Sequence, residues 1–324
     1  MQMNIDSQLG EFHIGELKIP GDLILAPMDG FSIYPFRIIV RKLGSAASYS
    51  EFINARDIIN GHPHLAQRIY FSNEERPFFY QLVDNDPDRL LAAALSLRRN
   101  DPDAIDINLG CPTPSISGRG AGAGLLRDPK KIEVILTSLC KALDIPITAK
   151  IRLGWDEHSK NYLEVAKIIE NSGCKAIAVH GRTRNQGYSG SADWNAIGEI
   201  KNIVSIPVIG NGDILSINDT EKMKGDTGCD AIMIGRAAIQ NPWIFSKLER
   251  DEVPAGEVLN TIKTQLNLMQ SFYGGSTGII LFRKFLVRYL SLLKVKKAIR
   301  ISLLQEMDAH VLMEKIEQLL EFTS

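Results

Sequence analysis

Residues 103–114 read DAIDINLGCPTP. The run AIDINL (104–109) is apolar enough for a buried strand; it stops at Gly110, and Cys111 stands next, ahead of Pro112 and Pro114. Strands of this kind belong to parallel sheets covered on both faces. Seven other runs share the look: LILAPM (23–28), ASYSEF (47–52), PFFYQLV (77–83), ITAKIRL (147–153), AIAVHG (176–181), PVIGNG (207–212) and AIMIG (231–235). The first seven of the eight are each followed by a segment long enough for a helix. KKIEVILTSLCKAL (130–143) and NYLEVAKIIENSG (161–173) carry helical apolar spacing, the second ending in a glycine suited to a left-handed cap. Eight βα units over roughly 230 residues predict an α/β fold, a TIM (β/α)8 barrel, whose usual size is about 250 residues. An open doubly wound sheet is the competing arrangement, but no G-x-G-x-x-G follows the first strand. SGCKAIAV (172–179), TGCDAIMI (227–234) and, more weakly, DPDAIDI (101–107) enter their strands through one pattern, a recurring turn into a βα unit.

From about Pro254 to Phe322 the pattern changes to helix-forming segments, broken near YGGSTG (273–278), with no β-type run. The expected organisation is a catalytic barrel over 1–245 followed by a smaller all-helical domain of four helices over 246–324. Within the latter, RKFLVRYLSLLKVKKAIR (283–300) carries Arg283, Lys284, Arg288, Lys294, Lys296, Lys297 and Arg300 and no acid. A charge run is ordinarily a solvated helix face, but with Phe285 and Tyr289 interleaved it also suits a phosphate backbone, and RNA contact is the expectation.

Composition agrees with a globular enzyme. Of 324 residues 44% are hydrophobic and 23% charged, which excludes disordered, fibrous and disulfide-stapled classes. The net charge of −1 argues against a chain that holds nucleic acid over its whole surface, and leaves local patches open. Cys111, Cys140, Cys174 and Cys229 form no C-x-x-C pair and have no histidine at ligand spacing, so no metal site and reduced thiols are expected. The N-terminal MQMNIDSQLGEFHIGELKIP lacks a basic start and an apolar stretch, and the apolar runs elsewhere are strand-sized. Neither signal peptide nor membrane span is predicted, and a cytoplasmic monomer is expected, with no protein partner inferable.

In a TIM barrel, functional groups gather where the strands end. Strand one ends in Ala26-Pro27-Met28-Asp29-Gly30, strand three in Gln81, and strand four in Asn108 with Cys111 beyond. Strand five carries Lys150 and Arg152; strand six ends His180-Gly181-Arg182, strand seven Asn211-Gly212-Asp213, and strand eight Gly235-Arg236. Each alone has a plain reading: Gln81 as a satisfied loop residue, His180 as a hydrogen-bonded core histidine. Their gathering at one end of nearly every strand is harder to dismiss, because buried lysine, histidine and amides are costly unless a ligand or network pairs them. GNGD and GRAA after the last two strands suit a phosphate cradle with Arg236 on its oxygens. Flavin mononucleotide and phosphorylated sugars both fit such a mouth.

LAPMDGFSIYPFR, DINLGCP, GAGAGLLRDP, KIRLGWD, VHGRTRNQGYSG, IPVIGNGDI and CDAIMIGRAAIQNPWIF together resemble the tRNA-dihydrouridine synthases. The likeness covers about 22–246, and Asp29 with RTRNQGY resembles the bacterial C-type branch. It implies a TIM barrel holding FMN at its strand ends and a helical domain gripping tRNA. By motif, Pro27, Met28 and Asp29 lie along the flavin, with a backbone contact expected from Asp29. Gln81 and Lys150 bind its pyrimidine edge and His180 approaches the ring. Asn211, Gly212, Asp213, Gly235 and Arg236 take the ribityl and phosphate part, while Asn108 and Arg182 face the uridine or the flavin edge. Cys111 is the implied catalytic acid, since a thiol is mostly protonated at neutral pH and can donate to C5 of uracil. The implied reaction reduces the C5–C6 bond of a tRNA uridine, at position 16 by the branch resemblance, with NADPH or NADH reducing the FMN. The rivals are a flavin barrel acting on a small pyrimidine-like molecule, which has little use for the basic helical tail, and a non-catalytic RNA-binding barrel, in which Cys111, Lys150 and His180 are idle and the purified protein lacks flavin absorbance.

Overall fold

The computed structural model describes residues 10–292 and 295–321. A hairpin of β1 (Phe12–Ile14) and β2 (Leu17–Ile19) comes first. It is followed by β3 (Leu23–Leu25), α1 (Tyr34–Lys42), β4 (Ser48–Asn54), and the short helices α2 (Ala55–Asn60) and α3 (Leu65–Ile69). Next come β5 (Phe78–Val83), α4 (Pro87–Arg98), β6 (Ala104–Leu109), a single turn α5 (Pro114–Ser117) and α6 (Pro129–Ala142). The barrel part ends with β7 (Ile147–Arg152), α7 (Tyr162–Asn171), β8 (Ala176–His180), α8 (Trp194–Ile203), β9 (Val208–Asn211), α9 (Ile217–Thr227), β10 (Ala231–Ile234) and α10 (Arg236–Gln240).

All eight expected strands are present, parallel, in the order β3-β10-β9-β8-β7-β6-β5-β4. Between the two outermost, the Ala46 N–H donates to the Leu23 carbonyl at 2.8 Å, so the sheet curls toward closure as the barrel expectation requires. Local chemistry starts the helices where the sequence says. Asp86 and Asp128 accept from the N–H groups of Arg89 and Lys131, ahead of Pro87 and Pro129 at the first helical positions. The hairpin β1–β2 was not expected from sequence. It seals the N-terminal mouth: Ile14 and Ile19 pack with Ala104, Ala176 and Ala231 inside the barrel.

Strand alternation then sorts the interior into layers. Ile24, Tyr49, Phe79, Ile209 and Met233 fill the lower barrel, with the Tyr49 and Phe79 rings stacked at 4.5 Å. Above them the inward positions turn polar, and register brings Gln81 beside Asp106, Asn108 beside Lys150, and His180 beside both Arg152 and Asn211. The outer faces pack under the helices in a second core that runs without a break into the C-terminal region, through Ile262, Met269, Phe282 and Phe285.

That region forms α11 (Ala255–Tyr273), α12 (Gly275–Tyr289), α13 (Lys297–Gln305) and α14 (Ala309–Glu321), four α-helices among the described residues. It sits against the first βα unit: Phe285 meets Phe31 at 5.4 Å and Phe36 at 5.1 Å, and Phe272 meets Tyr34 at 5.1 Å. Among the described residues no helix is long and apolar enough to cross a membrane, and no cluster of three or more His, Cys, Asp or Glu is placed to hold a metal.

Candidate active site

A cavity of about 450 Å³ opens at the C-terminal ends of the strands, a size typical of cofactor and small-ligand pockets. Pro27, Met28 and Asp29 reach it from the loop after β3, and Gly235 and Arg236 from the end of β10. Asn211, Gly212 and Asp213 come from β9, His180 from β8, Lys150 from β7, Asn108 and Cys111 from β6, and Gln81 from β5.

The loop after β3 is a closed turn. Met28 N–H donates to Ser32 Oγ at 2.9 Å, the Phe31 N–H donates to the Met28 carbonyl at 3.0 Å, and Gly30 N–H donates to Glu51 Oε1 at 2.5 Å. Gly30 sits at φ +77°, a conformation that favours glycine. The Asp29 carboxylate pairs with Arg68, 3.1 Å away.

Cys111 is partly exposed, its Sγ 3.4 Å from Thr113 Oγ1. Its peptide is held on both sides. Asn108 Oδ1 accepts the N–H groups of Cys111 (2.8 Å) and Gly110 (3.1 Å), Arg152 Nε donates to the Gly110 carbonyl at 3.0 Å, and the Ala123 N–H donates to the Cys111 carbonyl at 3.1 Å. The other three cysteines are elsewhere. Cys174 and Cys229 are buried where β8 and β10 begin, and Cys140 in α6 lies 3.9 Å from Cys174.

Burial, then the nearby Arg152, pulls the Lys150 ammonium down to about 8, and its Nζ donates to Asn211 Oδ1 at 2.9 Å. Asn211 donates in turn to the Met233 carbonyl at 2.7 Å. His180 is held well below the usual histidine range by burial and by the cations Arg152, Lys150, Arg182 and Arg236, so it is a neutral imidazole at working pH. Its ring fits because Gly212 has no side chain: a Cβ there would stand 2.8 Å from Ala192 Cβ and 3.0 Å from His180 Cδ2, and φ is +121°.

Two expected site residues are turned to other work. Arg182 is buried and does not line the cavity; it donates to the Ser189 and Gly190 carbonyls and to both oxygens of Asp213, at 2.7 and 2.8 Å. The Asp213 carboxylate is thereby committed, and also accepts the Ala192 N–H at 2.8 Å, so a phosphate can use only its backbone. The basic stretch is also not one face. Phe285 and Tyr289 are core residues, unavailable to RNA; Arg283 faces Glu306 and Met307; Lys284 lies over the rings of Phe31 and Phe285. Arg288 is exposed and lines the cavity, Lys296 and Lys297 are exposed at the start of α13, Arg300 is half-buried, and Lys294 lies outside the described residues.

Sequence reasoning passed over Asp106 and Tyr188 and noted Arg152 only in passing. Arg152 sits two residues beyond Lys150 on the same inward face, a period-two signal that marks it. It donates to the Thr183 and Gly187 carbonyls as well as to Gly110, and burial lowers it to about 10. Tyr188 is an exposed ring on the rim with Arg236 stacked 4.4 Å from its centroid. Lys150, Arg152, Arg236 and Arg288 thus face the cavity, while its two aspartates are both paired with arginines, so the site favours an anionic ligand.

Fold and site define a TIM-barrel enzyme with a cationic ligand cavity and one partly exposed thiol at its mouth. The chain belongs to the dihydrouridine synthase family, whose model matches residues 24–323. It is 38% identical over 306 residues to tRNA-dihydrouridine synthase B of Pseudomonas aeruginosa, covering 91% of this chain and 92% of that one. It is 35% identical over 285 residues to tRNA-dihydrouridine synthase B of Yersinia pestis, covering 86% and 89%. These relatives carry the B designation, which corrects the C-type likeness expected from Asp29 and RTRNQGY. Asp29 is a rim residue paired with Arg68, and within that motif the Thr183 N–H donates to Gln186 Oε1 at 2.7 Å. The expectation of position 16 rested on that branch and falls with it. Among solved structures, histamine dehydrogenase from Rhizobium sp. 4-9 superposes with a TM-score of 0.56 at 15% identity, over 81% of this chain and 51% of that one. A 2-naphthoyl-CoA reductase superposes with a TM-score of 0.57 at 11% identity, over 73% and 51%. Both likenesses speak to the barrel fold.

Proposed function

We propose that this protein reduces the C5–C6 double bond of a tRNA uridine to 5,6-dihydrouridine, with FMN as its cofactor, NADPH or NADH as reductant and Cys111 as proton donor. One observation carries the reading: a partly exposed thiol shares a single cavity with Lys150, neutral His180 and the glycine-lined end formed by Gly212, Gly235 and Arg236. The family model extends over the helical region, which a barrel acting on a small molecule would not need.

The residues present suit FMN. A phosphate finds the backbone at Gly212 and Gly235 and the guanidinium of Arg236, beside a turn in which a Cβ on residue 212 would press on Ala192 and His180. Lys150, steered by Asn211, offers its remaining N–H donors to a pyrimidine edge; Gln81 offers the second hydrogen of an amide otherwise shared between Asp106 and Asn108. Met28 and Pro27 give an apolar wall, and His180, uncharged, adds a donor or acceptor without repelling a cationic neighbourhood. When bound and reduced, FMN supplies the hydride for C6.

The chain supplies the rest. Asn108 and Arg152 hold the Cys111 peptide from opposite sides, so Sγ presents its proton to C5 from a fixed loop. The cations round the mouth favour charge developing on the uracil oxygens. The target base must leave its stack to enter, at a cost of a few kcal/mol, which favours a flexible RNA loop. Arg288 on the rim, with Lys296 and Lys297 beyond, contacts phosphate and holds the RNA while one base enters. We assign the barrel to 1–245 and the RNA-contacting helical domain to 246–324, two units sharing a continuous core. Mapping dihydrouridine in tRNA from cells with and without this protein tests the proposal: at least one site should vanish in its absence, and an unchanged map would refute it.

A further inference from the structure

Asp106 is 1% exposed, inside the barrel beneath the cavity, and neither touches the solvent nor lines the mouth. A carboxylate there is costly unless it is fully bonded. Its Oδ1 accepts from Thr148 Oγ1 at 2.6 Å and its Oδ2 from Gln81 Nε2 at 2.7 Å. Gln81 Oε1 accepts from Asn108 Nδ2 at 2.8 Å, and Asn108 Oδ1 accepts from the N–H groups of Gly110 and Cys111.

We propose that Asp106 is a positioning residue for the reacting thiol, its carboxylate setting the polarity of a two-amide relay that ends on the backbone of Cys111. A primary amide can turn either way, but an ionised carboxylate only accepts. With Thr148 donating to one oxygen, the other requires the NH2 of Gln81; that turns Gln81 Oε1 to Asn108, and Asn108 Oδ1 to the loop. Reversing the relay sets the Asn108 NH2 against two half-buried backbone N–H groups and leaves them unpaired. The acid two strand positions before Asn108 therefore selects the one arrangement in which the Cys111 loop is gripped. Burial raises Asp106 to about 6, with the donors from Thr148 and Gln81 and the Lys150 charge opposing it, so the acceptor form prevails at neutral pH.

The proposal deepens the reading of Cys111 as proton donor, and its test has an arm independent of that reading. In Asp106→Leu the relay loses its anchor; in Asp106→Asn the Gln81 bond survives, because Thr148 can turn to accept. Peptide-resolved mass spectrometry follows alkylation by iodoacetamide in the FMN-free protein. The Cys111 rate should shift about fivefold in Asp106→Leu and stay within about twofold in Asp106→Asn, with Cys140 unaffected in both. With the chemically reduced holoenzyme, the single-turnover rate on saturating tRNA should fall ~10- to 100-fold in the Leu variant while tRNA Kd holds, and recover in the Asn variant. Gln81→Met, which cuts the relay but leaves Asp106 bonded to Thr148, should shift Cys111 alkylation as the Leu variant does, and stands in if that variant does not fold. Unchanged Cys111 alkylation in Gln81→Met, or equal impairment of Asp106→Leu and Asp106→Asn, would overturn the proposal. Loss of dihydrouridine formation by the parent chain would instead refute the functional reading and leave the alkylation arm standing.

Discussion

Cys111 stands apart from the other three cysteines by placement: its loop follows a strand, on the ligand side, whereas Cys174 and Cys229 are buried at strand entries. That much is legible in DINLGCPTP, as are Lys150, His180 and Asn211, because polar groups in apolar strands advertise themselves. Asp106 hides in the same run, since sequence cannot say which inward positions end at the cavity and which lie one layer below. Partners decide Arg182 and Asp213 as well; two opposite charges 31 residues apart neutralise each other and leave the ligand only backbone. Lys150 gives a prediction in pH. Its pKa of about 8 lies below the ordinary 10.5, so between those values the unfolded chain binds more protons and stability rises with pH. Against FMN-free Lys150→Met, the parent chain should gain about 2 kcal/mol across that window by chemical denaturation, less than the full shift because the ammonium borders an open cavity. A flat difference would show that the ammonium is not desolvated.

Whole elements were more readable than single partners. Most of the barrel strands are apolar runs with glycine, proline or acid at or near their ends, a pattern that survives any detail of packing. The hairpin was missed because FHI and LKI are three residues each, too short for alternation to register. The basic run 283–300 misled for the opposite reason: α12 ends at Tyr289 and α13 begins at Lys297, so one linear stretch is distributed over two helices and several faces. The turn after β9 carries its own test. In Gly212→Ala the new methyl meets Ala192 Cβ at 2.8 Å and the backbone stays at φ +121°, so the β9 end must move. FMN affinity should drop by about tenfold or more, read by flavin fluorescence on titration, with the melting temperature of the FMN-free protein lowered by a few degrees at most. Undiminished affinity would remove this turn from the phosphate cradle.

At the scale of the molecule, the helical region leans on the loop that lines the cavity, through Phe285 against Phe31. Phe285→Ala should cost about 3–5 kcal/mol of stability and also weaken FMN binding, because Phe31 loses its backing; loss of stability alone would uncouple the two units. Among the described residues, Arg288 is the cation of the basic stretch that both lines the cavity and stays exposed. Arg288→Gln should weaken tRNA binding and reduce the salt dependence of affinity by about one unit of slope, and an unchanged slope would place the RNA elsewhere. The proposed chemistry turns on a thiol handing a proton to a tRNA uridine. The most direct measurement is a single turnover: the chemically reduced holoenzyme is mixed with unmodified tRNA and dihydrouridine is counted by mass spectrometry. The parent chain should convert uridine to dihydrouridine, while Cys111→Ala, equally loaded with FMN and binding tRNA equally well, should be slower by about 100-fold or more. Equal rates in the two proteins would contradict it.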